Sequence, residues 1–145
     1  VLQGDKQRLQ QVFLNLVKNA LEALEGAGEV RINAVLREDA SVSPPLGRGA
    51  HFHVLGRCEN RGAVVDIEIR DNGSGIPVDV LPRIFDPFFT TKDVGKGSGL
   101  GLFVVFKIIE EHGGCIAVES EPGRGTAFFI RLPLHQNQKD VELHG

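Results

Sequence analysis

Apolar residues recur at helical spacing near the start of the chain: Leu9, Val12, Phe13, Leu16, Ala20 and Leu24. Such positions share one face of an α-helix, so Asp5–Glu25 is predicted to be a long amphipathic helix. Asp5 suits the N-cap, and Gly26 and Gly28 stop the helix. The period then changes to two. Val30, Ile32 and Ala34 face one way and Arg31 and Asn33 the other, which predicts a half-buried strand over Glu29–Leu36. Residues 37–62 lose the pattern and are punctuated by Pro44, Pro45, Gly47, Gly49, Gly56 and Gly62, with His51–Leu55 readable as a short extra strand. Ala63–Arg70 alternates again and runs into Asp71-Asn72-Gly73-Ser74-Gly75, a strong turn signal. Val78–Ile84 reads as a short helix limited by Pro82. Phe85–Ser98 has no period and reads as a mobile loop. Gly99–His112 is apolar nearly all round, as a buried helix would be. Cys115–Ser120 and Thr126–Leu132 read as strands joined by a turn at Pro122-Gly123-Arg124-Gly125, and 135–145 as a polar tail. Two strand pairs with few helices imply an α+β chain: a two-layer sandwich with helices on one face of a sheet.

Composition narrows the function. At 145 residues, 41% hydrophobic and 24% charged, the chain has the make-up of one globular domain. The net charge is -3 and the 16 basic residues are scattered, so no nucleic-acid footprint is expected. The longest apolar run, Leu100–Phe106, is interrupted by Gly101 and far too short to span a bilayer, so no membrane contact is expected of this segment. Cys58 and Cys115 form neither a CxxC pair nor a framework. They read as two partly buried thiols in a reducing, cytoplasmic compartment. His51, His53 and Cys58 lack a complete ligand spacing and read as loop and edge-strand residues rather than a metal site. There is no Met, so a chain beginning at Val1 is expected to be a piece of a longer protein.

Three segments carry candidate chemistry. On the first helix, at about 100° per residue, Arg8, Gln11, Asn15, Asn19 and Glu22 fall within roughly a quarter of the circumference, beside the apolar stripe. Such a row is either an ordinary solvated face or one wall of a cleft. Asn is a mediocre helix former, and amide oxygens are hard ligands that suit Mg²⁺ shared with phosphate. Asp71 ends a strand whose inner face is apolar and needs a partner there. It caps the turn, or it accepts from the exocyclic amine of an adenine, with Gly73 and Gly75 permitting close backbone approach. Gly95, Gly97, Gly99 and Gly101 alternate just before a helix. That is either a plain loop or a phosphate cradle of backbone N–H groups. It is not a P-loop, because Lys96 is followed by Gly97, and not a dinucleotide fingerprint, because position 102 is Leu.

Together these segments resemble the ATP-binding catalytic domain of sensor histidine kinases. Asn15-Leu16-Val17-Lys18-Asn19-Ala20 resembles its N box, and Asp71-Asn72-Gly73-Ser74-Gly75-Ile76-Pro77 its first glycine box. Ile84-Phe85-Asp86-Pro87-Phe88-Phe89-Thr90-Thr91-Lys92 resembles its F box. Gly97-Ser98-Gly99-Leu100-Gly101-Leu102 resembles its second glycine box, and Gly123-Arg124-Gly125-Thr126-Ala127-Phe128 its final glycine-threonine motif. The Phe-Phe-Thr-Thr-Lys run, with Ala23-Leu24 closing the N box, is most similar to the nitrogen-regulation and oxygen-sensing subgroup.

The resemblance implies a mixed, mostly antiparallel sheet covered by about three helices, in a catalytic domain over 1–134. It implies an ATP lid over 85–98, and residues 37–62 depart from it, being longer than the family's usual short hairpin and reading as an insertion between strands. It implies ATP and Mg²⁺ as cofactors. Asn19 would ligate the metal with Asn15 beside it, and Glu22 and Ala23 would complete the box. Asp71 would accept from the adenine amine, with Gly73, Gly75 and Ile76 lining the base pocket and Thr126 beneath it. Gly97, Ser98, Gly99, Leu100, Gly101 and Leu102 would wrap the phosphates. Lys92 would meet the terminal phosphate as a point charge. The acceptor histidine would lie on a separate dimerisation and phosphoacceptor domain, with a response regulator downstream. None of the five His here sits on such a helical hairpin. Two other readings remain: an ATP-hydrolysing relative of the gyrase or mismatch-repair type, and a nucleotide-sensing module without transfer. The hydrolases carry Glu where Asn15 stands, and Asn cannot act as their general base.

Overall fold

Asp5 caps the first helix, α1 (Lys6–Ala23), as expected: its carboxylate accepts from the backbone N–H groups of Gln7 at 3.0 Å and Arg8 at 3.2 Å. Two of the helix's orphan donors are thereby satisfied. The computed structural model describes residues 5–24, 26–38, 51–56, 62–89 and 101–134. Leu9, Val12, Leu16 and Ala20 form the buried stripe of α1. The second helix, α2 (Gly101–Glu111), buries Val105, Ile108 and Ile109. His112, just beyond it, joins the two helices. Its Nδ1 donates to the Ile108 carbonyl at 2.7 Å, and its Nε2 accepts from the Asp5 backbone N–H at 3.0 Å.

The sheet contains β1 (Val30–Arg37), β2 (His51–Leu55), β3 (Val64–Asp71), β4 (Cys115–Glu121) and β5 (Gly125–Pro133). Its order is β1-β3-β5-β4-β2, and all four pairings are antiparallel. The two-layer α+β sandwich is as expected; the parallel element of a mixed sheet is absent from these pairings. Between 78 and 84 the expected helix is reduced to a 3-10 turn, Leu81–Arg83, with Pro82 within its opening positions. The core lies between the layers. Ile69, Ile116, Val118, Phe128, Ile130 and Leu132 meet the stripes of α1 and α2. Phe85 is buried there too, edge-on to Phe128 with ring centroids 6.3 Å apart.

The topology gives residues 37–62 a reason for their length. β1 and β2 occupy opposite edges of the sheet. The chain therefore crosses a sheet about 19 Å wide at ~4.8 Å per strand, which a hairpin turn cannot do. β1 differs from expectation for a related reason. Paired only with β3, it leaves Ile32 57% and Leu36 64% exposed, although both lie on the face that alternation marked as buried.

The opposite face of the sheet reverses the expectation for β3. Alternation there predicts Asp66 in water, yet Asp66 and Arg131 are buried as a bidentate pair with N–O distances of 2.7 and 2.8 Å. Arg37 adds a third bond to Asp66 at 2.7 Å. Glu119 is buried as well, accepting from Arg70 at 3.1 Å. Cys115 takes part in a disulfide rather than being the free thiol expected. Spacing along the chain does not fix which sulfurs meet in space. Cys58 lies outside the described residues, as does the tail 135–145.

Burial alone would raise the Asp66 carboxyl, but its bonds from Arg131 and Arg37 outweigh that and hold it below the ordinary range. A depressed acid stabilises the fold above its unfolded pKa, and this is lost as pH falls through the folded value. Asp66→Asn is therefore expected to cost roughly 3 kcal/mol at pH 7. Urea denaturation checks this, and the gap between variant and wild type is expected to close in acid.

Candidate functional site

Asp71 is the last residue of β3, with Val30 of β1 opposite it on one side and Thr126 of β5 on the other. Its carboxyl is buried and accepts from the Gly73 backbone N–H at 2.9 Å and from the Thr126 backbone. Burial raises its pKa, and these two bonds offset the effect only in part. An ionised carboxylate has about four acceptor positions, so capacity remains for a donor from outside. The turn cap and the ligand acceptor, alternatives in the sequence, are thus compatible in one side chain.

The first glycine loop is clamped between two elements. Ser74 donates its N–H to the Ala23 carbonyl at the end of α1 (3.1 Å), and Gly123 in the β4–β5 turn donates to the Ser74 carbonyl (2.7 Å). The Asn72 side chain accepts from the Glu29 backbone N–H at 2.8 Å. The glycines serve this clamp. A Cβ on Gly73 would strike the backbone of Ala23, and one on Gly75, which has φ +77°, would strike the backbone of Glu121 and Pro122. Close approach is the reason for both, and the surface approached here is the protein's own backbone, where the expectation was a flat base.

The polar row of α1 runs beside the core stripe. Asn15 and Asn19 are half-buried, and Glu22 is exposed. Arg8, in the same row, pairs with Glu111 of α2, which shows that this flank faces the second helix. Among the described residues no cluster of His, Cys, Asp or Glu suits a metal. Two adjacent neutral oxygen donors fit an ion that takes its remaining ligands from phosphate and water, as Mg²⁺ does. Ala23 lies against Gly73 and acts through the backbone. Gly101 and Leu102 open α2 and are half-buried. Lys92, Gly97, Ser98, Gly99 and Leu100 lie outside the described residues, as does most of the expected lid.

Ser120 of β4 was not predicted. Its hydroxyl accepts from the Ile76 backbone N–H at 2.7 Å, donates to the Gly125 carbonyl at 3.0 Å and touches the Thr126 hydroxyl at 2.8 Å. The only sequence signal was a polar residue on the apolar face of β4, opposite Thr126. Asp71, Gly73, Gly75, Ile76 and Thr126 are thus brought together at one end of the sheet, beside the end of α1.

Helices on one face of an antiparallel sheet, with a buried acceptor in a glycine loop at the sheet end, define a nucleotide-binding domain of the two-layer kind. The chain belongs to the family described as Histidine kinase-, DNA gyrase B-, and HSP90-like ATPase, which matches residues 4–136. It is 41% identical over 97% of its length to the sensor kinase CckA of Brucella abortus, of which it covers 14%. It is 42% identical over 90% of its length to the sensory histidine kinase/phosphatase NtrB of Rhodobacter capsulatus, of which it covers 33%. The chain therefore spans a third or less of these relatives. The catalytic domain of histidine kinase ThkA superposes with a TM-score of 0.65 at 32% identity, covering 92% of this chain and 70% of that one. The chain is thus an ATP-binding catalytic domain of the histidine kinase type. No described helix is long and apolar enough to cross a membrane.

Because the Asp71 pKa is raised, its ionisation opposes folding. The stability this reflects is present below the unfolded pKa and lost as pH rises through the folded value. Without nucleotide, Asp71→Asn is expected to be at least as stable as wild type at pH 7 by thermal melting. The advantage is expected to disappear in acid.

Proposed function

We propose that the chain binds Mg²⁺-ATP at the end of the sheet beside α1 and passes the γ-phosphoryl group to a histidine of a separate dimerisation and phosphoacceptor domain. The observation that carries this reading is the buried Asp71 carboxylate, held by backbone donors and keeping acceptor capacity. It receives the adenine amine, with Gly73, Gly75, Ile76 and Thr126 around the base. Asn19 and Asn15 hold Mg²⁺, with Glu22 at the edge of the same row. Bound Mg²⁺ supplies charge neutralisation on the phosphates. Gly97, Ser98, Gly99, Leu100, Gly101 and Leu102 cradle the phosphates, and Lys92 adds a positive charge at the terminal one.

Phosphoryl transfer asks a protein mainly for positioning and electrostatics. The nucleophile, an imidazole nitrogen, comes from the acceptor domain. A response regulator receives the phosphoryl group afterwards, and the domain works in the cytoplasm. Similar proteins support the reading: relatives are sensor histidine kinases, and the similar full-length ShkA structure is a complex with AMPPNP. Asn15 argues against a hydrolase, since an amide does not take a proton from water.

The test mixes the chain with the parent's acceptor domain and γ-labelled ATP. Label is expected on the acceptor histidine, and Asn19→Ala is expected to slow its appearance roughly 100-fold. Phosphate release by the chain alone, without labelling, would overturn the proposal in favour of hydrolysis.

A further inference from the structure

Ser120 lies outside every motif that carries the nucleotide reading, yet its hydroxyl makes three contacts at the base pocket. It is 1% exposed and so does not itself meet a ligand. A serine hydroxyl has one proton and two lone pairs. The Ile76 backbone N–H points into one lone pair at 2.7 Å. The Ser120 proton goes to the Gly125 carbonyl at 3.0 Å. With the Ser120 proton assigned to that carbonyl, which can only accept, the remaining contact of 2.8 Å is donated by the Thr126 hydroxyl. The Thr126 proton is therefore turned toward Ser120.

The consequence falls on the neighbouring strand. Thr126 and Asp71 are register partners in β5 and β3, and both are buried on the face toward the helices. With its proton engaged by Ser120, Thr126 has only lone pairs left for a ligand. Asp71, when ionised, also has only lone pairs. The base pocket is accordingly acceptor-only at this point. A 6-amino purine offers a donor there; a 6-oxo purine offers another acceptor. Leaving buried polar groups unpaired is what makes such discrimination large.

We infer that Ser120 is a positioning residue that fixes the direction of the Thr126 hydroxyl, and thereby the preference of the site for a 6-amino over a 6-oxo purine. The inference rests on the nucleotide reading above. A purely structural role for Ser120, tying the Ile76 loop to the β4–β5 turn, would weaken both classes of purine alike.

Calorimetric titration of the whole chain with Mg²⁺-ATP and Mg²⁺-ITP separates these. Wild type is expected to favour ATP. Ser120→Ala frees the Thr126 proton to meet a 6-oxo group, and the ATP-to-ITP preference is expected to shrink about tenfold. In a Thr126→Val background, Ser120→Ala is expected to leave the preference unchanged, because the group it orients is gone. Equal loss for both nucleotides in Ser120→Ala would overturn the inference, as would the same change of preference in the Thr126→Val background. Should Ser120→Ala fail to fold, Thr126→Val alone decides: a reduced preference supports the inference and an unchanged one overturns it. Wild type binding neither nucleotide would instead refute the nucleotide reading itself.

Discussion

The burial of the Asp71 carboxylate is the constraint on which the rest of the site depends. A charge removed from water at the end of a strand must be met by donors, and here they are backbone N–H groups of Gly73 and Thr126. The Gly73 donor is in place only because the loop folds back against Ala23, where a side chain at 73 would collide. The Thr126 donor is in place because β5 pairs with β3 in a register that sets the two residues opposite each other. Helix end, glycine loop and central strands thus meet around one side chain.

The same economy runs through α1. One stripe of the helix fills the core, and the neighbouring flank carries the half-buried Asn15 and Asn19 and the Arg8 that pairs with Glu111. His112 holds the two helices in relation by accepting from the first backbone N–H of the α1 cap. Burial is not confined to the helical side of the sheet. Asp66 and Arg131 show that charged residues on the far face are also removed from water, each compensated by a partner with short bonds. The domain therefore packs its central strands against the helices on one side and holds the other with ion pairs beside a small apolar cluster of Ala117, Ala127 and Phe129.

Much of this was legible in the sequence because local physics decides it. The 3.6-residue stripe, the Asp5 cap, the alternation of the central strands and the turn after Asp71 all depend on neighbours a few residues apart. What escaped depends on distant partners. The exposure of Ile32 and Leu36 follows from β1 lying at a sheet edge, and strand order is not written in a strand's own period. Residues 37–62 lie between two strands that pair with each other, β1 and β3, and nothing in their own pattern says that β2 joins the opposite edge of the sheet. Asp66 has the spacing of a wet residue, and its burial is explained by Arg131, 65 positions away, and Arg37, 29 positions away. In the site, the glycine motifs announced close approach without saying what approaches. Ser120 carried no motif at all, because its role exists only when the Ile76 loop and the β4–β5 turn meet around it.

The central claim is that the buried Asp71 carboxylate is the acceptor for the base. Its most direct test is a carbon-13 NMR titration of the Asp71 side-chain carboxyl, with and without Mg²⁺-ATP. Without nucleotide the group should titrate above the ordinary carboxylate range, as its burial dictates. With nucleotide bound, a donated amine proton favours the charged form, and the titration should move to lower pH. A carboxyl whose titration is the same with and without saturating nucleotide would contradict the account.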